Sequence, residues 1–596
     1  MKHGVNDTTG VFDTIELNEN HKDASKHSLS DAFISHARSG LSKMRITFSK
    51  NCDSSIISSL LDRVYYGLLG CSMKVIATFL LSFSVISLCL GYFDSISFMM
   101  FLFNTNTVCT LALIILSLLF FTTKKSLGEI ISSSRIASPL SIVYDQQSVF
   151  CVDGSPERKS EGYSTAFFVG VLTGILSILF PAPAIITFLL SAVYCVFILG
   201  RPECGLLFSI FAIPFFNEIT VIFLSLFTFI ALIYKYLRGK RHIDFGLAQV
   251  IMLISMLYII LRGVYTNKVF VDYQQLFNFI SFFLVCITAI SLTRTTAILK
   301  RSIKIIMNIS RIYAAILICY LVLCVIFSTR TTHNYLSNFA LSGLMTSLTT
   351  ERFIIPFLSI VFPLNFSLLI SSVKSPERIK NIVFLIVLLV LCAYYGSYQF
   401  ILTVLVFSLA NIIFVKPKLL FLIIPCPAIA YGLVKLQELT PASFRISPTS
   451  TPNCNVEGIL ELFKKSPVFG VGIGTSAYDV MLPSSGNSVN SSALNLLAHT
   501  GFLGIVLLVA LIFYMLYKAV KNIYRSSIKI ESARTIAIGL VCSSMSLITC
   551  CFYCDGLSDY RIVYLFAIVL SLSYCAGRCY DADYIDSTSV REYHQF

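Results

Sequence analysis

The stretch LNLLAHTGFLGIVLLVALIFYMLY, residues Leu494–Tyr517, carries no Asp, Glu, Lys or Arg. The next residues bring Lys518, Lys521, Arg525, Lys529 and Arg534. A helix needs roughly 20 apolar residues to cross about 30 Å of hydrocarbon. A basic cluster directly behind such a segment marks its cytoplasmic end, because Lys and Arg are enriched in cytoplasmic connections. This pairing of an apolar run with a basic tail decides the fold, and it recurs along the chain.

Working outward, comparable runs occupy Val75–Phe93, Ile96–Phe121, Ala166–Phe180, Ala184–Gly200, a short Cys204–Phe216, Ile219–Tyr234, Phe245–Leu261 and Tyr273–Leu292. Further runs are Ile312–Phe327, Phe353–Ser371, Ile382–Tyr395, Phe400–Val415, Leu419–Leu433, Ile536–Cys551 and Ile562–Tyr574. Basic residues fall in alternate connections: Lys124/Lys125, Lys235–Arg241, Arg294–Lys304, Lys374–Lys380 and Lys416/Lys418. The expectation is an all-α polytopic transmembrane bundle of roughly 12–16 spanning helices, with both termini cytoplasmic in a bacterial inner membrane.

Composition agrees. Of 596 residues, 56% are hydrophobic and 13% charged, where a soluble domain carries about 25% charged residues. The net charge of +14 sits in short inter-helix clusters, so it reads as membrane orientation and not as a nucleic-acid surface. The 19 cysteines lie mostly inside apolar runs, where thiols act as small packing groups. The Cys550/Cys551/Cys554 cluster has no second Cys or His pair at metal-site spacing, and no metal site is expected.

The domains expected are a polar cytoplasmic tail over 1–65, a helical membrane region over 66–436, a long extracytoplasmic loop over 437–489, closing membrane helices over 490–578, and a cytoplasmic tail over 579–596. Function in polytopic proteins concentrates in long polar connections. The 437–489 loop carries Arg445, Lys464, Lys465, Tyr478 and Asp479, and the run Ser466-Pro467-Val468-Phe469-Gly470-Val471-Gly472-Ile473-Gly474. That run neither follows a strand nor opens a dinucleotide-binding unit. Its glycines read either as a flexible turn or as a place where backbone approaches a ligand closely.

Asn490-Ser491-Ser492-Ala493-Leu494-Asn495-Leu496-Leu497-Ala498-His499-Thr500-Gly501-Phe502-Leu503-Gly504 follows. The succession of P-x-x-G-x-G-x-G and L-x-x-L-A-x-T-G-x-x-G resembles the O-antigen ligase and O-antigen polymerase superfamily of membrane glycosyltransferases. The likeness is sharpest over 444–504. It departs from the family where Asn490-Ser491 replaces His-Asn and where His499 replaces Glu. A Ser-Arg-Gly helix opening is replaced by Gly396-Ser397-Tyr398, while Arg352, with Pro363 and Asn365 downstream, matches an earlier family arginine.

The resemblance implies a polysaccharide polymerase that joins polyprenyl-diphosphate-linked repeat units on the outer membrane face. Ligase and flippase readings stand as alternatives. Arg352 and Arg445 would hold the donor diphosphate through paired hydrogen bonds, and His499 would serve as general base. Gly470, Gly472, Gly474, Tyr478, Asp479, Asn490, Lys464 and Lys465 would line the substrate. The expected partners are the bilayer, the lipid-linked glycan, a chain-length regulator and a flippase. No nucleic acid and no cofactor are expected.

Overall fold

The computed structural model describes the chain from Cys71 to Tyr593 apart from residues 95–104, 124–125, 128–161, 217, 239–245, 267–272, 327–350, 373–374, 396–397, 416–462, 465, 473–490 and 526–530, with isolated residues before Cys71. The described residues are helical, with a single isolated β-bridge between Ser72 and Ser126. In chain order the helices are α1 (Met73–Asp94), α2 (Thr105–Phe121), α3 (Tyr163–Ile175), α4 (Ala182–Gly200), α5 (Pro202–Ala212), α6 (Glu218–Leu237), α7 (Leu247–Thr266) and α8 (Tyr273–Leu292). There follow α9 (Thr296–Ile326), α10 (Glu351–Ser371), α11 (Ser375–Tyr395), α12 (Tyr398–Val415), α13 (Ser492–Arg525), α14 (Glu531–Cys550) and α15 (Tyr560–Tyr593).

Among the described residues, seven helices are long and apolar enough to cross a membrane, and seven shorter apolar helices accompany them. The protein is therefore an all-α membrane protein. Large apolar side chains stay exposed along the outer helices, among them Phe93, Ile115, Leu179, Phe188, Ile219 and Phe513. Hydrocarbon tolerates such a surface where water does not.

Several boundaries differ from those read in the sequence. Helix α9 begins at Thr296, so Lys300, Arg301 and Lys304 lie on its first turns and not in a connection. Leu299, Ile303, Ile306 and Met307 bury one face of those turns, and this amphipathic stretch continues the helix that the apolar count alone started at Ile312. Arg378 and Lys380 likewise open α11. The last helix runs through the segment 579–596, read as a tail, as far as Tyr593. Short α5 is buried on nearly every side, so it is a core element with little surface for lipid. The run Leu419–Leu433 lies outside the described residues.

The bundle centres on α15 and α10. In α15 the share of the apolar span that is buried reaches 89%, against 28% in α13. Helix α15 packs on α8 through small residues one turn apart. Cys286 Sγ donates to Ala567 O, Cys575 Sγ to Ile290 O and Cys579 Sγ to Thr293 O. Ser571 Oγ reaches Cys286 O at 3.4 Å. Small side chains let two helices approach closely without lipid between them.

Helix α10 carries two prolines, Pro356 and Pro363, each removing an N–H from the helix ladder. Polar side chains bond to other carbonyls in and beside this helix. Ser359 Oγ donates to Pro356 O at 2.7 Å, Asn411 Nδ2 to Pro363 O at 3.2 Å and Asn365 Nδ2 to Asn381 O at 3.2 Å. Asn365 is thus committed to α11. It also lies thirteen residues, roughly 20 Å, along the helix from Arg352.

The α8–α15 seam yields a direct test. Cys575→Ala should leave stability near that of the parent, whereas Cys575→Leu should cost about 1–3 kcal/mol by overpacking. Thermal unfolding in detergent, followed by size-exclusion fluorescence, reads both. Equal stability of the two variants would contradict the close packing.

Candidate functional site

Helix α13 is two helices across a break. Gly501 sits at φ 67 and ψ −174, a conformation that only glycine adopts without strain. The break would orphan backbone groups in an apolar setting, where each unpaired group costs several kcal/mol. The turn Ser466–Gly472 docks into it and pairs them. Val471 N donates to Ala498 O at 2.9 Å, and Gly472 N donates to His499 O at 2.8 Å. In return Phe502 N donates to Pro467 O at 2.9 Å, and Leu503 N donates to Val468 O at 3.1 Å.

The exchange is reciprocal, and so is the need for glycine. A Cβ on Gly470 (φ 70) would lie 2.4 Å from Gly501 N, and one on Gly501 would lie 2.3 Å from Gly470 N. The two halves of the sequence motif are therefore one structural unit. The close backbone approach read from Gly470 is an approach to the chain's own helix break.

Two side chains from α7 hold this unit. Tyr258 Oη donates to Thr500 O at 2.8 Å and reaches Phe469 O at 3.2 Å. Arg262 donates from Nε to Phe469 O at 3.1 Å, from NH2 to Ser466 Oγ at 3.4 Å, and from NH2 to Gly470 O. Its guanidinium also lies 6.0 Å from the Phe469 ring centre. A charged donor collecting the carbonyls at the end of a turn is a strong latch, since charge-assisted bonds are about twice as strong as neutral ones. Sequence reading missed Arg262. The signal was present: it follows directly on the apolar run that ends at Leu261, and an ionisable residue at a helix end inside a membrane protein is a functional candidate.

The first half of α13, Ser492–Thr500, is tied at its other end by the Cys551–Leu557 segment. Ser492 N donates to Cys554 O and Ala493 N to Cys551 O. Leu494 N reaches Ser491 Oγ at 3.4 Å. Ser492 Oγ donates to Asp555 Oδ1 at 3.1 Å and accepts from Leu557 N at 2.8 Å. This helix start is closed by protein groups. The Cys551 and Cys554 carbonyls do the pairing, and no group of three or more His, Cys, Asp or Glu placed to hold a metal occurs among the described residues.

His499 occupies the last turn before the break. Its Nδ1 lies 3.0 Å from Gly472 O. A carbonyl oxygen only accepts, so Nδ1 carries the proton and, in the neutral ring, Nε2 carries the lone pair. The turn thus fixes both the position of the imidazole and its basic atom. Asp555 is within electrostatic reach of the ring.

The other residues expected at the site divide by position. Lys464 is helical and exposed, and Gly472 is buried in the docked unit. Arg352 is the second residue of α10, one position before buried Phe353, and its side chain is outside the described residues. Arg445, Lys465, Gly474, Tyr478, Asp479 and Asn490 lie outside the described residues altogether.

A buried cation missed in the sequence, Arg561, lies at the start of α15. Arg561 pairs with Asp559 through Nε at 2.9 Å and through NH2, and it stacks 4.1 Å over the Phe353 ring. The pair fastens the start of α15 to the start of α10.

Gly470→Ala and Gly501→Ala should each destabilise the protein by more than about 2 kcal/mol, combining backbone strain with a backbone clash. The double variant should be less harmful than the sum, because both break one contact. Additive losses in thermal unfolding would contradict the docking. Replacing Cys550, Cys551 and Cys554 together by Ala should leave activity within a few-fold, since the backbone carbonyls of Cys551 and Cys554 that pair the start of α13 are kept. Complete loss at normal membrane abundance would contradict that.

No protein-family model matches the chain, and no curated protein is detectably similar to it.

Proposed function

We propose that the protein is a membrane glycosyltransferase that polymerises polyprenyl-diphosphate-linked repeat units at the bacterial inner membrane. The observation that supports this best is His499. It sits on a broken membrane helix with Nδ1 tied to Gly472 O, so that in the neutral ring Nε2 is the atom that bears the lone pair. The turn that holds the ring, Ser466–Gly472, belongs to the long 437–489 connection. A base set at the foot of a large extramembrane loop suits a reaction whose acceptor is a sugar hydroxyl.

In this reading the acceptor hydroxyl gives its proton to His499 Nε2 and attacks the anomeric carbon of the donor. The C–O bond to the diphosphate breaks, and the polyprenyl diphosphate leaves. Arg352 and Arg445 neutralise the leaving group, which is where electrostatic stabilisation is worth most. Arg262 does not share that duty. Its donors already serve Phe469 O, Gly470 O and Ser466 Oγ, so it positions the turn that orients His499. The ligase alternative uses the same chemistry with a different acceptor.

A transporter is less well supported. Transporters with broken helices leave helix-end N–H and C=O groups pointing at substrate or ion. Here the groups at the Gly501 break pair with the Ser466–Gly472 turn.

Deletion of the gene followed by glycan electrophoresis separates the readings. A ladder collapsing to a single repeat on its lipid core supports the polymerase, and loss of all transferred glycan supports the ligase. An unchanged glycan profile contradicts both. Within the polymerase reading, His499→Gln should remove polymer, because general-base catalysis contributes roughly 10²–10⁴-fold. Arg445→Lys should lose much activity and Arg445→Ala nearly all, since Lys does not reproduce bidentate phosphate binding. A normal ladder from a His499→Gln variant present in normal amounts would remove the base assignment.

A further inference from the structure

Helix α9 carries a line of polar side chains into its apolar span. Lys300, Lys304, Asn308 and Arg311 recur at spacings of four, four and three, so they share one face of the helix. The first three are exposed and Arg311 is half-buried. Arg311 falls inside the candidate span Thr296–Cys319, roughly 10 Å along the helix from Lys304. Ile312 beside it is 49% exposed, so this part of the helix meets lipid.

Arg311 also ties α9 to α11. NH2 donates to Asn381 Oδ1 at 2.7 Å and NH1 to Asn308 Oδ1 at 3.2 Å. The guanidinium stands 5.8 Å from the Phe384 ring centre. All these partners are neutral, whereas a guanidinium stays charged. NH1 and NH2 each keep a further N–H, and Nε is buried without a hydrogen-bond partner. Glu377 lies within electrostatic reach, but the hydrogen bonds of Arg311 go to the two asparagines. Glu377 is also the only acidic residue of either helix, against six basic ones. An ionisable side chain within a span marks a functional site by default.

We propose that the groove between α9 and α11 at Arg311 binds the phosphate of an anionic phospholipid. Guanidinium N–H groups pair strongly with phosphate oxygens. The bond to Asn308, one turn earlier, shows the Arg311 side chain leaning back towards Lys304 and the membrane surface. A lipid phosphate brings acyl chains that can lie along exposed Ile312 and Ala315, which a free phosphate ion cannot do. The orientation expected from the basic connections puts Lys300 and Lys304 at the cytoplasmic leaflet, where basic clusters attract anionic headgroups. The inference does not depend on the glycosyltransferase reading.

The chain has no tryptophan, so a single introduced Trp reports its own surroundings. Full-length Ile312→Trp protein would be reconstituted in vesicles mixing phosphatidylcholine with phosphatidylglycerol, each lipid in turn being dibrominated as the quencher. Phosphatidylglycerol is expected to quench several-fold more effectively than phosphatidylcholine. Adding Arg311→Gln should bring the two lipids close to parity. Phe188→Trp, at an exposed position of α4, should show no preference. Should Arg311→Gln not fold, the exposed pair Lys300→Gln and Lys304→Gln stands in for it and should at least halve the preference. Equal quenching by the two lipids in Ile312→Trp would overturn the proposal. So would a preference that persists in folded Arg311→Gln, or in the double variant where that stands in, or one equally strong in Phe188→Trp. A preference abolished by inorganic phosphate equimolar with the lipid would also overturn it and assign the groove to a free anion.

Discussion

Backbone pairing in an apolar medium is the constraint on which the rest of this structure depends. A helix that crosses hydrocarbon can be interrupted only if something else takes up the groups it releases. At Gly501 that something is the Ser466–Gly472 turn, and the exchange of four backbone hydrogen bonds leaves room for no side chain at either Gly470 or Gly501. The position of His499, the direction of its ring and the anchoring of the long connection all follow from that one contact. Arg262 and Tyr258 add a third helix to it, so α7, the turn and α13 behave as one body.

The same constraint organises the core. In helix α10, Ser359 and Asn411 donate to the carbonyls of Pro356 and Pro363. Helix α15 is the most enclosed of the seven long spans among the described residues, and it meets α8 through thiols and a hydroxyl that reach across to backbone carbonyls. Cys286, Cys575 and Cys579 thus have a packing explanation. A thiol is small enough for a close seam and polar enough to make a weak bond to a carbonyl.

The class of the fold was legible in the sequence because apolar length is a strong and local signal. Helix ends were less so. The start of α9 was hidden because Lys300 and Lys304 look like a connection, although the apolar positions between them keep a helical period. The motif from Pro467 to Gly504 was visible as a pattern, and His499 within it. That its two parts dock on each other was not visible, since they are some thirty positions apart and the reason for each glycine is the other one. Arg262 and Arg561 were passed over for a related reason. Each sits just outside an apolar run, and its role lies in what it meets in space: carbonyls of a distant turn for Arg262, Phe353 and Asp559 for Arg561.

Amide hydrogen exchange across 466–472 and 498–504 tests the central contact most directly, because it reads the paired N–H groups themselves. The amides of Val471, Gly472, Phe502 and Leu503 are expected to exchange slowly together, and to lose protection together in Gly470→Ala. Protection confined to α13, with residues 466–472 exchanging as fast as an open loop, would contradict the docked pair and the placement of His499 that depends on it.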